Sequence, residues 1–149
     1  MKRLSLALTF ACVIGAGAAV AASDPIKERQ TLMKGNGDAM KAITAMLKGE
    51  KPYDAKIAAE ALKSVNTSLD KFVTLFPKGS ETGGDTAAKP EIWANKADFE
   101  SLAKATKEGA GKAEKAAAGG LDSLKTAMGD VGKGCKGCHE KYRVEKEKK

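Results

Sequence analysis

The chain has 149 residues, with 26 Lys and Arg against 19 Asp and Glu, a formal charge of +7, and one histidine. The positive residues are interspersed with acids except in the tail Lys141 to Lys149, which holds Glu145 and Glu147 and reads as a solvated helix end rather than a nucleic-acid patch; with only 5 % aromatic residues, a base-stacking surface is excluded. One histidine also leaves a four-ligand zinc site short of donors.

Lys2 and Arg3, the apolar stretch Leu4 to Val20 and the small residues Ala19 to Ala22 read as a secretory signal peptide, residues 1–22, cleaved after Ala22 or Ala21. The expected address is the bacterial periplasm. Cleavage removes Cys12, whose preceding Thr9-Phe10-Ala11 is a poor lipidation box, and lowers the charge to +5. Residues 23–149 are then one domain with two cysteines, expected to be soluble and without stable membrane insertion, since no other segment approaches ~18 apolar residues.

Four amphipathic helices follow, and no segment alternates like a strand. In the first, Ile26, Met33, Met40 and Leu47 fall seven apart, thickened by Leu32, Ile43 and Met46; Asp24 caps it, Pro25 suits its first turn and Gly49 ends it. Asp54 caps the second, whose stripe Ala58, Leu62, Val65, Leu69, Phe72 and Phe76 runs to Pro77. Pro77 to Pro90 is the one long loop. The third helix runs from near Glu91 to about Ala118, with Ile92, Phe99, Leu102 and then alanines, small enough for a neighbouring helix or a flat cofactor to approach closely. Gly119-Gly120 turns the chain back into a fourth helix, carrying Leu121, Leu124, Met128, Val131, Cys135, Cys138 and Tyr142 on one stripe. The fold class is all-α: an antiparallel up-down-up-down four-helix bundle with its cofactor in the core.

That cofactor is indicated by Cys135-Lys136-Gly137-Cys138-His139, the attachment signature of a c-type haem: two thiols add to the haem vinyl groups, and the imidazole binds the iron. A thioredoxin-like pair belongs at the N-terminus of a helix after a strand, and a disulfide between Cys135 and Cys138 would close a loop too small to stabilise much. Four glycines in this helix, Gly129, Gly132, Gly134 and Gly137, each cost about 1 kcal/mol relative to alanine. They fit either tight helix packing or room for the porphyrin.

With His139 the only histidine, the sixth iron position falls to a methionine, a lysine, the new N-terminal amine or nothing. Met128 shares a helix with His139 and lies ~16 Å along it, out of reach of the opposite haem face. His139 lies about seven to ten residues from where the last helix should fray, so antiparallel packing matches it to the low thirties of the first helix. Met33 is therefore favoured over Met40 and Met46. It is also an ordinary stripe residue, and Gly35 and Gly37 beyond it would clear space.

The chain resembles the class II c-type cytochromes, the family of cytochrome c prime and cytochrome c-556, across essentially the whole mature segment. The matching residues are Arg29-Gln30, Lys48 to Asp54, Pro90-Glu91-Ile92-Trp93, Gly129-Asp130-Val131-Gly132, the haem motif and Tyr142-Arg143. The resemblance implies one haem c bound through Cys135 and Cys138, with Arg29 pairing with a propionate, Trp93 near the haem rim and Arg143 bordering the proximal face. In cytochrome c prime the distal position on the first helix is commonly leucine, leaving five-coordinate iron. Met33, four after Arg29, resembles the low-spin cytochrome c-556 subgroup, whose methionine ligates.

The implied function is a periplasmic electron carrier, not an enzyme, with low-spin iron held by His139 and Met33. Its partners would be redox proteins met transiently, with a homodimer also compatible with the family. The alternative is a five-coordinate protein of the cytochrome c prime kind, binding nitric oxide or carbon monoxide.

Overall fold

The structure is a computed structural model that describes residues 24–145. The signal-peptide reading lies outside the described residues. Five helices follow one another: α1 (Pro25–Leu47), α2 (Ala55–Phe72), α3 (Glu91–Ala94), α4 (Lys96–Ala117) and α5 (Leu121–Tyr142). The four long ones form the bundle. The most extensive packing joins α4 to α5, then α2 to α4 and α1 to α2, whereas α1 and α5 touch little.

The helix ends follow the local chemistry. Asp24 accepts from the backbone N–H groups of Ile26 and Lys27 at 3.0 and 3.3 Å, and Asp54 does the same for Lys56 and Ile57 at 2.9 and 3.0 Å. Gly49 and Gly120 take φ of +74° and +95° at the end of α1 and the start of α5, a region that favours glycine.

Two expected elements differ. The third helix is broken: Asn95, at φ −125° and ψ 46°, separates the short α3 from α4. The second helix ends at Phe72, and the chain tightens through bonds from Thr74 N to Lys71 O and Leu75 N to Phe72 O. Leu75 and Phe76 are nevertheless buried, so the apolar stripe outlasts the helix.

The core has two parts. Ile43, Met46, Ala58, Leu62, Val65, Leu124, Met128 and Val131, with Ala110, Ala113 and Ala117 of α4, make an aliphatic cluster. The alanines serve helix approach: a Cβ on Gly109 would lie 3.5 Å from Asp130 of α5. The second cluster is aromatic, with Phe76, Ile92, Phe99 and Tyr142 buried and Phe72, Trp93 and Leu102 packed against them. Phe76 meets Phe72, Trp93 and Phe99 edge-on at 5.1, 5.5 and 4.9 Å, and Phe99 meets Tyr142 at 5.3 Å.

The 77–90 loop is stitched over this aromatic end. Ala88 and Arg143 form an antiparallel bridge, with Lys89 N bonded to Tyr142 O at 2.9 Å and Val144 N to Ala87 O at 2.8 Å. This pairing ends α5 at Tyr142, because Arg143 must turn extended to join it. His139 therefore stands three residues from the helix end, closer than the seven to ten expected from sequence.

Candidate haem site

Cys135, Cys138 and His139 lie in the last two turns of α5, all half-buried. Both cysteines are free thiols. Burial pushes both thiol pKa values up, and at Cys138 the charges of Cys135 and Asp98 add to the effect. Cys135 packs against the aliphatic cluster, and Thr106 of α4, whose hydroxyl donates to Leu102 O at 2.8 Å, lies beside Cys138. Burial, helped by the charge of Arg143, pushes His139 down and keeps its imidazole neutral, the form with a lone pair for a metal.

The glycines of α5 divide. A Cβ on Gly134 would fall on the Thr106 hydroxyl and 2.9 Å from its Cβ, so Gly134 permits close approach of α4 and α5. Gly129, Gly132 and Gly137 would meet nothing within 4 Å, and neither would Gly35 and Gly37 of α1. Helix packing explains the first; the space a flat group needs beside α5 fits the others.

Arg29 is buried, 5 % exposed, not a surface cation. Its Nη2 donates to Ser80 O at 2.8 Å and its Nε to Pro25 O at 3.2 Å, while the guanidinium carbon lies 4.6 Å from the Phe76 ring centre and 5.7 Å from that of Trp93. Desolvation lowers its pKa. Its Nη1 is buried without a partner among the described residues, a donor that fits an anionic group such as a haem propionate. Trp93 is a member of the aromatic cluster and donates from Nε1 to Pro77 O at 3.2 Å. Arg143, exposed and extended, closes the last turn through its N–H to His139 O at 3.1 Å.

Met33 lies one turn, ~6 Å, beyond Arg29. Arg29 is linked to Tyr142 through the contacts of Phe76 and Phe99, and Cys138 lies one turn back from Tyr142. Met33 is half-buried and belongs to neither apolar cluster, whereas Met40, Met46 and Met128 all join the aliphatic one.

Thr106, Asp98 and Ser80 are neighbours of this region that sequence reasoning missed. Thr106 carried a faint signal, a polar residue within the alanine face of α4. Asp98 and Ser80 carried none.

A helical bundle with an attachment motif for haem on its last helix defines a c-type haem protein. The family model described as Cytochrome C' matches residues 24–143. A cytochrome c' of Rhodopseudomonas palustris is 41 % identical over 134 residues, 90 % of this chain and 91 % of that protein. A cytochrome c-556 of Agrobacterium fabrum is 39 % identical over 148 residues, 98 % of this chain and 97 % of that protein. The solved structure of a cytochrome c' from Rhodopseudomonas palustris superposes with a TM-score of 0.79 at 38 % identity, covering 85 % of this chain and all of that one. The chain belongs to the cytochrome c' family and carries covalent haem c, for which Cys135 and Cys138 supply the thiols.

Proposed function

We propose that this chain is a periplasmic electron carrier whose haem iron is six-coordinate between His139 and Met33. What supports this reading is that Met33, one turn beyond the buried Arg29, is half-buried and outside both apolar clusters, while the three other methionines of the described chain are engaged in the aliphatic core. The haem supplies one-electron cycling between ferric and ferrous iron. His139 would contribute an imidazole nitrogen, Met33 a thioether that favours the ferrous state, and Arg29 a buried donor to one propionate. Two fixed ligands leave little to rearrange when the electron moves.

Export would be directed by residues 1–22, read as a signal peptide, and among the described residues no helix is long and apolar enough to cross a membrane. Redox proteins would meet the lysines around the haem edge transiently. Self-association belongs to the same reading, since a cytochrome c' of known structure, 33 % identical, shows ligand-controlled dimer dissociation.

Absorption spectra test the ligation. Low-spin spectra in both oxidation states, indifferent to carbon monoxide, are expected; Met33→Ala should give high-spin iron that binds the gas at once, and unchanged ligation would exclude Met33. A native protein that is high-spin and takes up the gas would instead support a gas binder. The nitric oxide complex of a mutant cytochrome c prime from Alcaligenes xylosoxidans, 35 % identical, favours that second reading.

A further inference from the structure

The turn of α5 that carries His139 is held from two directions. From the loop come the pairing of Ala87 and Lys89 with Val144 and Tyr142, and a bond from Lys89 Nζ to Glu140 O at 2.9 Å. From α4 comes the carboxylate of Asp98, in its first turn. One oxygen of Asp98 accepts from Lys141 Nζ at 2.7 Å and from the Tyr142 hydroxyl. Tyr142 itself is 3 % exposed and braced edge-on by Phe99. The residues two and three after His139 are thus tied to a single carboxylate on another helix.

We infer that Asp98 is a positioning residue for the proximal side of the haem, and that the Asp98–Lys141 pair sets the local charge to which the oxidation state of the iron responds. The carboxylate faces Lys141 and Tyr142 and is close enough to Cys138 for its charge to act on that sulfur. A negative charge beside the haem favours ferric iron and a positive one ferrous iron, because reduction adds one electron and no bond forms or breaks. In the intact pair the two largely cancel. Removing either member exposes the other, so the two substitutions have opposite signs.

The inference rests on the covalent haem and not on Met33, so it holds whether the protein proves to be a carrier or a gas binder. The test is spectroelectrochemical titration of the purified holoprotein, with the electrode supplying the electron. Asp98→Asn should raise the ferrous-to-ferric ratio at fixed potential about threefold, and Lys141→Gln should lower it about threefold, each about 28 mV at 59 mV per tenfold. Asp98→Glu should restore the native value, and both shifts should shrink in 1 M salt. Shifts of the same sign, or none beside a lowered melting temperature, would make Asp98 a structural latch only and overturn the inference. Should Asp98→Asn fold poorly, Lys141→Gln decides alone: its side chain is 51 % exposed and its removal leaves the Tyr142 bond in place.

Discussion

The two ends of the bundle are built differently. The aliphatic end takes all of its buried residues from helix faces: Ile43, Leu62, Val65, Leu124 and Val131 are essentially unexposed and each lies within a long helix. The aromatic end takes half of its buried residues from outside the long helices, with Phe76 past the end of α2, Ile92 in a four-residue helix and a loop laid across the top. Regular period organises one end; tertiary stitching organises the other. The haem motif lies toward the stitched end, where the protein can shape a pocket without interrupting its helical core.

The largest expected effect separates the two ends. Replacing Cys135 and Cys138 together by alanine should yield a colourless chain of apoprotein mass with much reduced far-ultraviolet helicity. Hydrogen exchange should place that loss toward the aromatic end, around residues 25–33 and 132–142. Native helicity with cooperative melting would mean that the porphyrin does not stabilise this region.

Next in size is Leu62→Ala, at a fully buried position of the aliphatic end. It should cost about 2–5 kcal/mol in chemical denaturation while the visible spectrum stays native. A spectral change of the kind expected for Met33→Ala would show that the two ends are coupled more tightly than their separate clusters suggest.

The aliphatic end was legible in the sequence because its information is local. Three-four spacing, Asp24 and Asp54 as caps, and Gly49 and Gly120 as stops all appear as predicted. The break at Asn95 was not legible, since neither proline nor glycine marks it. Its neighbours are drawn instead into the aromatic cluster through Ile92 and Phe99. The haem motif was readable from five consecutive residues, whereas the surroundings of the site were not. Arg29 read as a haem partner or a surface cation and Trp93 as a haem neighbour or a core aromatic, yet in the fold they also pin the loop through the carbonyls of Ser80 and Pro77. Gln30, from the same motif, bonds to Asp85 O at 3.1 Å. Such long-range pairings leave no periodic trace.

The smallest effect sharpens the boundary between the ends. Gly134→Ala forces a methyl group onto Thr106 and should cost on the order of 1–3 kcal/mol, partly restored by adding Thr106→Ala. Thermal melts of the single and double variants measure the coupling. Gly129→Ala, which meets no neighbour, is the control and should not need such rescue.

The pairing of Val144 with Ala87 holds the last described residues at the aromatic end, toward the haem motif rather than at the opposite pole. A cysteine introduced at Glu145, just past that anchor, would tether the molecule to a gold surface by its redox-active end. Immobilised that way, the protein would stand with its prosthetic group turned toward the metal, giving a short tunnelling distance.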